Sequence, residues 1–198
     1  MDSPTFIPTT AVSDSMNGLN NMDAAIKPLK EDYQLQGPAL TVKMPVGDNR
    51  VVLQAIRQAK PGDVLVIDAK GDDYRAIAGD FIMGMAKTLG IAGVVADGVI
   101  RDIQGTKELE YAVFCKGTTV AASGKAGWGE INTTISCGGV SIDPGDWIVA
   151  DADGVVVVPK DQKESVLEES AKKEAADVER DEKVSGNVEA IKEYLKKF

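Results

Sequence analysis

Three residues stand where chemistry could be done: Asp80, Arg101 and Asp102. Arg101 offers a planar fork of donors that can meet a carboxylate at two points. Asp102 follows it directly, and Asp80 lies upstream by 22 positions (102 − 80). Brought together, two carboxylates and an arginine would hold a magnesium ion with several waters and an anionic ligand. A plainer account fits the same residues: an Arg–Asp ion pair at a strand end and an aspartate capping a helix. Charge pairs of that kind are common outside active sites, and composition alone favours the plainer account.

The 198-residue chain contains no histidine and two cysteines. Ser-His-Asp and Cys-His mechanisms are therefore absent, and so are the usual zinc ligand sets. Any metal should be hard and oxygen-bound, Mg²⁺ or Mn²⁺. Cys115 and Cys137 are expected as buried free thiols of a reducing compartment.

Residues 62–102 contain the elements that would position the three side chains. Val64-Leu65-Val66-Ile67 is a short branched apolar run, bounded by Gly62 and Asp68, and predicts a buried strand. Gly71-Asp72-Asp73 is turn chemistry. A helix is predicted from Asp80 to Leu89, with Phe81, Ile82, Met85 and Leu89 on its apolar face and Gly90 as its stop. A second buried strand is predicted from Ile91 to Ala96; it ends in Asp97-Gly98, and Arg101-Asp102 follows at once. Strand, helix, strand is a βαβ unit with parallel strands, and α/β sheets place their sites beyond the carboxyl ends of such strands.

Upstream, a helix is predicted from Ser13 or Asp14 towards Ile26, with Met16, Leu19 and Met22 on one face. A strand follows at residues 39–44, and Asp48 opens a second helix that buries Val51, Val52, Ala55, Ile56 and Ala59. Residues 1–10, with Pro4 and Pro8, read as an arm. After Asp102, short β-like runs punctuated by glycine, proline and aspartate predict a second sheet layer or a barrel-like β part. The glycine-rich stretch at residues 124–129, with Lys125 and Trp128, lacks the phosphate-loop pattern and reads as a surface or interface loop. Beyond Pro159 the chain is strongly charged and helical, broken at Ser185-Gly186-Asn187. Residues 1–159 thus read as a catalytic α/β domain. Residues 160–198 read as a helical extension packed on that domain or on a neighbouring subunit.

The segments GDVLVID, GD before a helix, and GVVADGVIRD resemble the proteins related to the regulator of ribonuclease E activity A. Gly47-Asp48-Asn49, Cys137-Gly138-Gly139, Pro144-Gly145-Asp146 and residues 151–159 extend the likeness in the same order and spacing. The resemblance implies a swivelling β/β/α-type layered sandwich with a central βαβ unit and C-terminal helices. It also implies a metal-dependent pyruvate aldolase of the 4-hydroxy-4-methyl-2-oxoglutarate type. Such an enzyme also decarboxylates oxaloacetate through the same metal-stabilised enolate.

By that resemblance Arg101 binds the keto acid's carboxylate and Asp102 ligates Mg²⁺ or Mn²⁺. Asp80 holds and polarises water. Asn49 and Gly79 belong to the substrate pocket, and the backbone amide near Phe81 faces the acid at a helix start. A lysine Schiff base is the other aldolase route, but Lys70 sits in a polar Lys70-Gly71-Asp72-Asp73 loop that looks solvated. Lys70 and Asp72-Asp73-Tyr74 also depart from the family's pattern and bear on which substrate tail is accepted. The competing expectation is a non-catalytic regulatory binding protein of the ribonuclease E inhibitor type, which has no need of an intact Asp80, Arg101 and Asp102 set.

A net charge of −9 argues against a general nucleic-acid binder. No apolar run approaches a membrane span, and no signal peptide is visible, so a cytoplasmic protein is expected. A homotrimer or homohexamer, with small 2-keto acids as its ligands, is what the resemblance adds.

Overall fold

The computed structural model describes residues 6–198. Helix α1 (Thr9–Ser15) leads to a short edge strand β1 (Lys27–Pro28) and a long strand β2 (Leu35–Lys43). Then come α2 (Arg50–Gln58), β3 (Val64–Asp72), β4 (Arg75–Ala76), α3 (Asp80–Thr88), β5 (Gly93–Ile100) and α4 (Ile103–Glu108). The β-rich part holds β6 (Ala112–Cys115), β7 (Gly117–Thr118), β8 (Ala121–Ala122), β9 (Glu130–Ile131), β10 (Ile135–Cys137), β11 (Val140–Ile142), β12 (Trp147–Asp151) and β13 (Gly154–Val158). Helices α5 (Lys163–Val184) and α6 (Val188–Leu195) follow.

The main sheet runs β1-β6-β5-β3-β2-β12-β13. Strands β2, β3, β5 and β6 are mutually parallel, while β12 and β13 are antiparallel additions beside β2. The sheet nearly closes on itself. Residues 20–28 touch both margins: Met22 N–H donates to Val155 O, Val157 N–H donates to Asn20 O, and β1 pairs with β6.

Alternating side chains of the central strands supply two cores, as a pleated strand buried on both faces requires. Leu40, Val42, Leu65, Ile67 and Val94 pack against Val51, Val52 and Ile56 of α2 and Ile82 and Met83 of α3. On the other face Val64, Val66, Val95 and Phe114 meet the β10–β11 hairpin through Ile135, Cys137 and Ile142. Phe114 is fully buried there, and truncating it to alanine should cost about 3–5 kcal/mol. A third cluster joins Val149, Val156 and Val158 to Val12 of α1 and Val166 of α5. The carboxylate of Asp151 fastens α1, accepting from Thr9 N–H at 2.9 Å and from its hydroxyl at 2.6 Å. The ammonium of Lys163 sits 3.4 Å from the centre of the Trp147 ring and pins the start of α5.

The βαβ unit and the breaks after Leu89 and at Ser185 form as the sequence predicts, although β3 runs on through the expected turn at Gly71-Asp72 and β5 passes Asp97-Gly98 to reach Ile100. Two expectations about the helices change. The first helix spans Thr9–Ser15 rather than running from Ser13 or Asp14 towards Ile26, because Asn17, Gly18 and Asn20 take left-handed backbone; Leu19 is consequently exposed while Met16 and Met22 stay buried. Helix α3 buries Ile82, Met83 and Ala86, leaving Phe81 and Leu89 exposed. The later strands meet the expectation of a barrel-like β part: most extend the main sheet, which nearly closes, while β10–β11 and β4–β8 form small separate pairs. Part of the arm expected over residues 1–10 lies outside the described residues, and the chain is already helical at Thr9. No helix among the described residues is long and apolar enough to cross a membrane.

Candidate active site

Two backbone hydrogen bonds set the site. Ile77 N–H donates to Val99 O at 2.8 Å, and Arg101 N–H donates to Ala78 O at 3.0 Å. The segment entering α3 is thereby laid along the end of β5, so Gly79-Asp80 and Arg101-Asp102 become neighbours. Strand β7 pairs with the same strand end, and Thr119 N–H donates to Ile100 O at 2.8 Å.

Asp102 sits between β5 and α4 in left-handed backbone, with φ 55°. Aspartate tolerates that region better than most residues, although it still stores strain, and such positions cluster at functional sites. Thr106 holds it there: its N–H at 2.9 Å and its fully buried side chain's hydroxyl at 3.0 Å both donate to Asp102 O. Arg101 Nε and Asp102 Oδ2 form an ion pair at 3.2 Å, and both side chains are nearly half exposed.

Gly79 leaves no room for a side chain beside this pair. A Cβ there would lie 2.2 Å from Asp102 Oδ2 and 3.3 Å from Arg101 Cγ. Its backbone is extended, so space rather than conformation demands glycine. Gly105 stands in the same relation to Asp80, with a Cβ 2.4 Å from Oδ2. Asp80 is the first residue of α3, and its Oδ1 accepts from Phe81 N–H at 2.7 Å. The Phe81 amide, which the resemblance turns towards the bound acid, is therefore taken by the protein's own carboxylate, and the Phe81 ring is 76% exposed.

Asn49 is 6% exposed, and its Nδ2 donates to Ile77 O at 2.8 Å. That bond fixes the amide's orientation and leaves Oδ1 buried without a partner among the described residues. A buried acceptor left alone is costly unless a ligand or water supplies a donor.

A cavity of about 320 Å³ is lined by Asn49, Gly79, Asp80, Phe81, Arg101 and Asp102, all six residues singled out in the sequence. Ala76, Ala78, Ala122, Ser123 and Lys125 complete most of its wall. Sequence reasoning missed this last group, because the loop bearing Ser123 and Lys125 is distant in sequence and lacks a phosphate-loop pattern. Ser123 Oγ donates to Ala76 O at 2.7 Å and draws that loop in. A larger, mostly apolar groove of about 1040 Å³ opens beside the site, sharing Asp80 and Phe81 and running over Leu53, Met85, Leu89 and Leu109. No group of three or more histidine, cysteine, aspartate or glutamate side chains able to hold a metal occurs among the described residues. A metal here would thus take few protein ligands and complete its shell with water and substrate oxygens, which is how Mg²⁺ commonly binds.

The RraA-like family model, described as Aldolase/RraA, matches residues 9–157. A protein of Halalkalibacterium halodurans, provisionally named 4-hydroxy-4-methyl-2-oxoglutarate aldolase, is 60% identical over 97% of this chain and 91% of its own length. Among solved structures, the RNA-processing inhibitor RraA of Thermus thermophilis superposes with a TM-score of 0.72 at 27% identity, covering 79% of this chain and 94% of that one. A Geobacillus kaustophilus protein described as an S-adenosylmethionine:2-dimethylmenaquinone methyltransferase gives 0.72 at 34% identity, over 78% and 96% of the two chains. With the family model spanning most of its length, this chain belongs to the RraA-like family.

Proposed function

We propose that this chain is a metal-dependent carbon–carbon lyase that cleaves a 4-hydroxy-2-keto diacid to release pyruvate and decarboxylates oxaloacetate at the same site. The observation that carries the reading is the convergence of Asp80, Arg101, Asp102 and Asn49 on one small cavity. The name of the Halalkalibacterium halodurans relative supports the reaction class.

The donor set suits Mg²⁺ or Mn²⁺: Asp102 presents a hard, half-exposed carboxylate as the direct ligand, with Asp80 close by. Bound there, such an ion supplies Lewis-acid stabilisation of negative charge on the keto oxygen. Arg101 uses Nε on Asp102 and keeps its two terminal nitrogens for the substrate's C1 carboxylate. Asn49, through Nδ2 on Ile77 O, holds the segment that leads into Gly79-Asp80. Asp80 takes the proton of the C4 hydroxyl through water. The C3–C4 bond then breaks, C4 becomes a carbonyl, and the electron pair moves to C3 and the C2 oxygen as the pyruvate enolate. Water protonates C3. Oxaloacetate loses carbon dioxide to the same enolate and needs no initial base.

A homotrimer or paired trimers, with the apolar groove beside Asp80 covered by another subunit, is the proposed assembly, and the cytoplasm its proposed location. The same exposed groove favours a second reading, a regulatory binding protein, which matches the description of the Thermus relative. Coupled pyruvate release from a small panel of keto acids, with Mg²⁺ and with EDTA, separates the two. The lyase reading expects metal-dependent release that Asp102→Ala reduces to background. Full activity in EDTA or in Asp102→Ala rejects it.

A further inference from the structure

We propose that Lys125 is the side chain that selects substrates with a second carboxylate, and that it does so by receiving the carboxylate remote from Arg101. The inference rests on the keto-acid reading of the cavity given above.

Lys125 lines the same cavity as Arg101 and Asp102. Its ammonium has no carboxylate or carbonyl partner among the described residues. By contrast, Lys30, Lys43, Lys70 and Lys116 each pair with an acidic side chain. The backbone that carries Lys125 is held on both sides. Gly124 N–H donates to Gly47 O at 2.8 Å and Asn49 N–H donates to Gly124 O at 3.0 Å. On the far side Ala126 N–H donates to Asp48 Oδ2 at 2.6 Å. Gly127 lies against Asp48 so closely that a Cβ there would come within 3.0 Å of the carboxyl carbon. The backbone under Lys125 is thus already in place, and only the lysine side chain has to be ordered when a ligand arrives.

Charge balance points the same way. The charged side chains lining the cavity are Asp80, Asp102, Arg101 and Lys125, and they sum to zero. A divalent ion adds two positive charges. A dianionic acid then neutralises the site, whereas a monoanionic acid leaves one positive charge to be met by solvent. Arg101 can serve one carboxylate, because one of its nitrogens is already engaged by Asp102. The second carboxylate falls to Lys125, a flexible point charge suited to tails of differing length.

The test uses two acids of equal chain length, 2-oxoglutarate and 2-oxopentanoate, which differ by a carboxylate in place of a terminal methyl. Calorimetric titration of the full chain with Mg²⁺ present should show wild type binding 2-oxoglutarate at least about tenfold more tightly, the worth of one charge-assisted hydrogen bond. Lys125→Met should bring the two affinities within about twofold of each other, and Lys125→Arg should restore most of the gap. The proposal is overturned if wild type does not separate the acids, if neither binds measurably, if Lys125→Met weakens both equally, or if it keeps the full gap. Pyruvate release is read separately. A closed gap in Lys125→Met with no pyruvate from any acid upholds the Lys125 subsite and removes the lyase reaction.

Discussion

A Cβ on Gly79 would lie 2.2 Å from Oδ2 of Asp102, so the start of α3 and the end of β5 interlock at a contact that only glycine permits. Gly79→Ala must push the Asp102 carboxylate aside. A displacement near 1 Å at a reacting group costs on the order of 100-fold in rate. We expect that loss in pyruvate release, with stability changed by no more than about 1 kcal/mol, since the displaced carboxylate is half exposed. Gly105→Ala, which meets Asp80 Oδ2 at 2.4 Å, should behave alike. Steady-state kinetics beside a thermal melt reads both quantities, and undiminished turnover in either variant removes the positional role.

Arg101→Lys keeps a positive charge and loses the fork. If the arginine grips a carboxylate with its terminal nitrogens, KM should rise roughly tenfold or more and kcat should fall as the keto acid is misplaced. A purely structural pairing with Asp102, at 3.2 Å in the folded chain, predicts kinetics close to wild type.

Asp48 gives the Lys125 loop a defined acid limit. Its partial burial works to raise the pKa, but the backbone amides of Arg50, Gly127 and Ala126 outweigh it and hold the carboxyl below its ordinary 3.8. A folded pKa depressed in this way means the clamp is fully present above the unfolded value and is lost as pH falls through the folded one. Fluorescence anisotropy of Trp128, which is exposed on that loop, should stay flat from neutral pH down to 3.8 and drop below it, in a Trp147→Phe background. Asp48→Asn should lower the anisotropy already at neutral pH.

Cys115 and Cys137 should be silent towards thiol reagents in the folded protein. Both are buried and free, and burial pushes both thiols up; for Cys137 the charge of Asp97 adds to the effect. Titration with an aromatic disulfide should find no reactive thiol per native chain and two after denaturation. A fast-reacting Cys137 in native buffer contradicts the packing of the β10–β11 hairpin on the sheet, and a fast-reacting Cys115 the packing of the end of β6.

The βαβ unit was legible because its signals are local. Branched apolar runs, Gly90 as a stop and polar residues after the second strand each act within a few positions. Asp80, Arg101 and Asp102 could be named for the same reason. The exposure of Phe81 and Leu89 was not legible, since helical spacing says which residues share a face and not whether anything covers it. The early end of α1 escaped because left-handed asparagines at 17 and 20 depend on where residues 20–28 must travel. Lys125 reaches the cavity through bonds from Ser123, Gly124 and Ala126 to residues 47 to 78 positions earlier, and no local pattern announces those.

The strap at residues 20–28 has a consequence for how the protein is made. Asn21 is bridged to Val156 and Lys27 is paired with Cys115, separations of 135 (156 − 21) and 88 (115 − 27) positions. During synthesis the parallel strands can assemble early, but one margin of the sheet stays open until β13 leaves the ribosome. An open ladder of that kind recruits other strands. The interval between the emergence of β6 and of β13 is therefore the period when the nascent chain is most exposed to mispairing, and when slowed translation would do the most harm.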